Sequence, residues 1–289
     1  MDSHNRRIAE SLLEAASLLE QQEANPFRVL AYRRAAQAVR SLRRDIGLVF
    51  RKEGFQGLTA LRGIGPQIGG AIAEMLRSGR WTQLERLRGT LDAEALFSSV
   101  PGIGPKLARR VLDALHIDSL EALEMAANDG RLGRVSGFGA RRIAMVRAEL
   151  AQMLGGRRWR SAEISQEPSV EILLDVDREY REKAAAGKLR LITPRRFNPK
   201  QEAWLPILHT ERGVWHFSVL FSNSGLAHRL GRTRDWVVLY FHYDSQAEGQ
   251  RTVVTETRGP QSGQRVVRGR EAECEEYYRL PVQLPLIGA

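Results

Sequence analysis

Cysteine is almost missing from this chain: Cys274 stands alone among 289 residues. A single cysteine can form neither an intrachain disulfide nor a cysteine-rich zinc site. Lysine is scarce too. Lys52, Lys106, Lys183, Lys188 and Lys200 are the only lysines among 44 basic residues. The positive charge is therefore arginine, which holds phosphate bidentately and never loses its proton at ordinary pH. No stretch approaches the roughly 20 apolar residues of a membrane span. The opening, Met1 to Arg7, is polar and leads into no apolar signal-peptide core. These absences predict a soluble, cytoplasmic protein (nucleoid-associated if bacterial) with no membrane partner.

What is present is a lopsided charge. Residues 1–160 hold 26 basic and 17 acidic residues, whereas residues 161–289 hold 18 and 17. The excess belongs to the first half, where it points to a polyanionic partner. At this length two domains are expected. We read residues 1–154 as a helical domain, 155–168 as a polar linker, and 169–289 as a second domain.

In the first domain, Ile8, Leu12, Leu13, Ala16, Leu18 and Leu19 recur at helical spacing, as do Phe27, Leu30, Ala31, Ala35 and Val39 after Asn25-Pro26. Three later segments repeat one design: a short helical lead, Gly-apolar-Gly, then a longer helix. The glycine pairs are Gly63/Gly65, Gly102/Gly104 and Gly137/Gly139, with starts 39 and 35 residues apart.

The design has a physical reading. The first glycine permits a sharp turn between helices. The apolar residue points inward and pins the two helices. The second glycine opens the next helix without a side chain, so its first-turn amides face outward with the positive end of the helix dipole behind them. A phosphate fits there. Such contacts carry no base information and predict sequence-independent binding to DNA. Lys106, Arg109 and Arg110 follow the second hairpin, and Arg141 and Arg142 the third. The first hairpin is followed by Gln67, Gly69, Gly70 and Ala71 and is less basic.

The second domain reads as α+β, with a small mixed or antiparallel sheet of four or five strands. Predicted strands are Val170–Leu174, Trp215–Phe221, Trp236–Tyr243, Arg251–Thr255 and Arg265–Val267. Predicted helices are Arg178–Ala186, Ser224–Leu230 and Glu271–Tyr278. His209, His216, His228 and His242 lack metal-ligand spacing. Ser222, Asn223 and Ser224, with His228, Arg229, Arg232 and Arg234, form either an anion-receiving turn or ordinary capping beside a solvated basic loop. The arginine-rich stretch Thr257–Arg270 is either a second DNA contact or an exposed ribbon. Nothing in this half names its role, and docking of a protein partner through residues 169–289 is a further expectation.

Residues 4–153 resemble the amino-terminal region of family-X DNA polymerases, the polymerase beta-like group. The resemblance is carried by Asn25 to Ala36, Leu61 to Ile68, Val100 to Ala108, Asp129 to Leu132, and Gly137 to Gly139. It implies hairpins that grip the strands flanking a gap, in DNA repair or processing. It also implies a potassium or sodium ion at hairpin carbonyls, here those of Thr59, Leu61 and Ile64, and of Ser98, Val100 and Ile103. The family's lyase lysine falls at Ala71, so Schiff-base chemistry has no amine there. Nucleotidyl transfer needs carboxylates that hold two metals. Asp175 and Asp177, with Glu256, are the candidates for a magnesium- or manganese-dependent nuclease or nucleotidyltransferase. The other reading of Asp175 and Asp177 is a helix N-cap with an acidic first turn.

Overall fold

A computed structural model describes residues 3–154, 167–243 and 248–279. The first half is helical throughout. It runs α1 (Ser3–Gln21), α2 (Pro26–Ser41), α3 (Ile46–Thr59), α4 (Pro66–Ser78), α5 (Thr82–Arg88), α6 (Ala93–Ser98), α7 (Pro105–Leu115) and α8 (Leu120–Asn128). A 3-10 turn (Arg131–Arg134) and α9 (Ala140–Met153) complete it. Asn25 starts α2 as the sequence suggests, its side chain accepting from the Phe27 amide at 2.8 Å with Pro26 behind it. The buried face of α2 is rotated from the expected one. Val29, Tyr32, Ala35, Ala36 and Val39 are buried, whereas Phe27 is 82% exposed. Tyr32 turns inward, its ring centroid 5.6 Å from that of Trp81 and its hydroxyl donating to Gln83 at 3.1 Å.

The second half is a six-stranded antiparallel meander in sequence order. Its strands are β1 (Arg190–Ile192), β2 (Leu205–Arg212), β3 (Trp215–Phe221), β4 (Val237–His242), β5 (Gly249–Thr255) and β6 (Arg265–Val267). Helix α10 (Val170–Ala185) precedes the sheet, α11 (Gly225–Arg229) interrupts it, and α12 (Glu271–Arg279) follows it.

The predicted strand Val170–Leu174 is the first turn of α10. A short apolar run reads equally as strand or buried helix, and Ser169 decides the matter by capping the Ile172 amide at 3.3 Å. Val170, Leu173, Leu174, Asp177 and Tyr180 then share a buried helical face. Asp175 and Asp177 thus lie inside a helix, neither at a strand end nor at an N-cap.

The sheet is covered on both faces. Val219, Leu239, Phe241 and Val253 pack against α10 and α12 with Leu173, Tyr180 and Cys274. The alternate residues Leu205, Ile207, Leu220, Val238 and Tyr240 join the core of α1 to α5. Period-2 alternation puts successive residues on opposite faces, which accounts for the unbroken apolar run of β4. Polar bonds reinforce the seam between the halves. His209 Nε2 meets Gln22 Oε1 at 3.0 Å, Arg86 pairs with Glu248 at 2.8 Å, and Tyr240 hydrogen-bonds Asp118. Gln250 spans the Asp118 amide and the His116 carbonyl, at 3.1 Å to each. Most of the predicted linker, residues 155–166, lies outside the described residues. Its last two residues are docked: Glu167 pairs bidentately with Arg251 at 2.9 and 2.7 Å, and Arg270 donates to the Pro168 carbonyl at 2.5 Å.

Candidate nucleic-acid interface

The three Gly-apolar-Gly turns have one backbone. Gly63, Gly102 and Gly137 adopt φ of 85°, 87° and 99°, in the left-handed region. Ile64, Ile103 and Phe138 are buried to within 5% exposure. Their amides donate to Leu61, Val100 and Val135 at 3.0, 3.0 and 3.1 Å. Gly65, Gly104 and Gly139 then cap α4, α7 and α9 in extended backbone, with φ of −76°, −83° and −83°. A Cβ at any of these three caps would meet no atom within 4 Å. Each helix start is open, and apart from the Leu107 amide, which donates to the Gly104 carbonyl at 2.9 Å, its first-turn amides have no backbone acceptor among the described residues. Pro66 and Pro105 supply a pre-set φ at the first helical position.

The second and third hairpins pack reciprocally. A Cβ on Gly102 would lie 2.2 Å from Met145 of α9, and one on Gly137 would lie 2.7 Å from Leu107 of α7. Each turn is seated on the helix that follows the other. The pair encloses its own core, including Phe97, Val111, Leu123, Leu132 and Val146. The first hairpin instead leans on α2, with Ala38 its nearest neighbour at 3.8 Å.

The basic residues divide into two groups. Lys106 and Arg141 are exposed and have no partner among the described residues. Arg110 donates to the Ser136 carbonyl at 3.2 Å, and Arg142 to the Gly137 carbonyl, so both brace the tandem. Arg109 is exposed and pairs with Glu94 at 3.0 Å.

At the first hairpin the helical half is roofed by the sheet. Ala71 is 7% exposed, beside a small cavity of about 60 Å³ lined by Gln67, Glu74, Arg86, His242 and Glu248. The position that matches the family's lyase lysine is thus an apolar, covered one.

The acidic candidates of the second half are dispersed and bound to arginine. Asp175 pairs with Arg178 and, at 2.7 Å, with Arg212. Buried Asp177 accepts from Arg265 at 2.6 and 3.0 Å and from Arg181 at 3.0 Å. Glu256 accepts from Arg268 at 2.8 Å. Burial opposes its charge, but the Thr257 amide and Arg268 hold its carboxyl below the usual range. Among the described residues no group of three His, Cys, Asp or Glu side chains is placed to hold a metal ion. The arginines of Thr257–Arg270 are also largely engaged. Arg265 joins Asp177 and Asp235, and Arg270 joins Glu273.

Sequence reasoning missed Arg86, His116, Asp118 and Tyr240, which meet across the seam. Arg86 lies 3.4 Å from the Tyr240 ring centroid. Burial pushes the Asp118 carboxyl up, against Arg86 and Tyr240, and pushes His116 down to about 4, assisted by Arg268. No local signal marks this cluster, because Tyr240 comes to Arg86, His116 and Asp118 from more than 100 residues away along the chain.

Comparison with known proteins agrees with this geometry. Residues 3–81 match the helix-hairpin-helix domain family, and residues 93–152 the SAM-like helix-hairpin-helix tandem. The break between the matches falls where the first hairpin's core gives way to that of the tandem. Over 137 residues the chain is 26% identical to the DNA polymerase/3'-5' exonuclease PolX of Bacillus subtilis (strain 168). That alignment takes in 47% of this chain and 23% of the relative. The first half therefore carries helix-hairpin-helix domains and resembles a family-X polymerase there. Among the described residues no helix is long and apolar enough to cross a membrane.

Proposed function

We propose that this protein binds DNA through the sugar-phosphate backbone, without regard to base sequence, in repair or a related processing step. One observation carries the reading: three hairpins of the same backbone geometry open their following helices at a bare glycine with nothing in front. A phosphate oxygen placed there meets unpaired amides and the positive helix end. Lys106 and Arg141 stand beside two of these openings, ready to add charge without leaving another partner. The resemblance to family-X polymerases directs the reading toward gapped or nicked DNA.

A potassium or sodium ion fits the same turns. Leu61 and Val100 each spend one carbonyl lone pair on an amide and keep another. Thr59 and Ser98 end α3 and α6, where carbonyls have no intrahelical donor. Ile64 and Ile103 would complete each set. Such an ion would join the hairpin carbonyls to a phosphate.

The test is a mobility shift on unrelated duplex, nicked and gapped sequences across a range of salt. The double variant Lys106→Glu with Arg141→Glu should weaken binding to all sequences alike and lower the salt dependence by about two phosphate contacts. Unchanged affinity and slope would refute the reading.

A further inference from the structure

A cavity of about 420 Å³ opens between α6, α7 and the sheet. It falls in the range of about 300–1,000 Å³ that small ligands occupy. Leu112, Ile192, Leu220 and Val238 give it apolar walls.

Its buried end has polar atoms in need of partners. Arg86 is 5% exposed and lines the cavity, and its Nε and Nη2 find no hydrogen-bond acceptor among the described residues. His116 Nδ1 and Asp118 Oδ1 on the same wall also have no hydrogen-bond partner among the described residues. Folded chains seldom leave buried polar atoms unpaired, and four in one place mark a site.

The exposed end carries an aromatic stack and arginines. Phe197 is 45% exposed and adopts φ of 55°, which a bulky side chain rarely tolerates. Its ring lies 4.4 Å from that of His228, tilted by 33°, with the Arg196 guanidinium 5.2 Å away. Arg109 and Arg196, one from each half, converge on Glu94 at 3.0 and 3.7 Å. Arg109 is exposed, so its pair contributes little, and phosphate competes well for arginine.

We propose that this cavity takes a nucleotide unit. The planar base enters beside Phe197 and His228 and is turned toward Arg86, His116 and Asp118, while the phosphate lies between Arg109 and Arg196. The unit arrives either free or as an unpaired nucleotide of a bound strand. Only the second source rests on the hairpin reading, since Arg109 follows the second hairpin.

The experiment uses the full chain and two probes: 2-aminopurine deoxyribonucleoside 5′-monophosphate, and a gapped duplex with 2-aminopurine as its unpaired base. Stacking quenches the fluorescence of either. Phe197→Ala, an exposed change, should weaken the quenching interaction by about tenfold. Leu91 also lines the cavity, and Leu91→Trp, which fills it, should abolish the interaction. Quenching of the free probe identifies a site loaded from solution, and quenching of the duplex probe alone identifies one loaded from DNA. Quenching of neither probe, or quenching equal in Phe197→Ala and the parent chain, overturns the proposal. If the duplex still shifts in that case, the hairpin reading survives. If no duplex binds at all, the free probe decides, and its failure to quench overturns the nucleotide site.

Discussion

His209 shows how a single side chain ties acid sensitivity to the seam. Its Nε2 donates to Gln22 and its Nδ1 accepts from Ser218 at 2.9 Å, which a neutral ring satisfies in full. Burial, helped by Arg28, holds its pKa down to about 3, and His116 is held to about 4. An unfolded histidine titrates near 6.5. The unfolded chain therefore binds protons that the folded chain refuses. Stability should be intact above about pH 6.5 and fall toward about pH 4, by about 1.4 kcal/mol per pH unit for each histidine. Urea midpoints measured across that window check the slope, and His209→Gln should flatten it. A midpoint indifferent to pH would refute the assignment. None of this is legible in the sequence, because Gln22 and His209 meet only through the fold. At the same scale Phe27 and Leu30 misled: α2 needed a rotation of its stripe that no local spacing distinguishes.

At the scale of the element, the hairpins were the most legible part of the chain, and the reason is steric. A glycine forced to φ near 90° leaves a trace in residue type. The two glycines of one turn now predict opposite phenotypes. Gly102→Ala meets both the left-handed backbone and Met145 of α9, and should cost about 1–2 kcal/mol by thermal unfolding. Gly104→Asp stands in extended backbone with open space, where aspartate is a good N-cap. It should leave stability unchanged or slightly raised, yet weaken DNA binding, since its carboxylate takes the amides offered to phosphate. Equal losses of binding and stability in both variants would contradict this division. Helix α10 was less legible. Four apolar residues in five fit a strand or a helix, and the Asp175/Asp177 pair suggested a metal site only while that segment read as a strand. In the helix, Asp177 is the buried partner of Arg265. Asp177→Ala should destabilise the fold by about 1–3 kcal/mol, because it leaves the Arg265 guanidinium with Asp235 as its one acidic partner among the described residues. A denaturation curve little changed by it would refute that role. Pro206 masked β2, since proline argues against a central strand; here it lies beside the edge strand β1, paired with Leu191.

For the molecule as a whole, the decisive fact is a sheet with no free face. Composition separated a basic half from a neutral one, and the fold joins them, because Leu205, Ile207, Leu220 and Val238 belong to the core of the helical half. Helices α1 to α5 and the sheet should therefore unfold together in one calorimetric transition. Residues 1–154 expressed alone should expose the apolar surface that the sheet covers and self-associate. Separate transitions for α1 to α5 and for the sheet, or a monomeric and fully folded 1–154, would contradict the shared core.

The second and third hairpins are the exception, since they close their own core from residues 96–150. That self-sufficiency makes the tandem transplantable. It can be inherited, duplicated or grafted onto an unrelated protein without rebuilding its interior, while the first hairpin can be exchanged only together with the sheet that roofs it. Recombination within such chains should therefore favour breakpoints just before α6, and design can take the tandem as a ready-made unit.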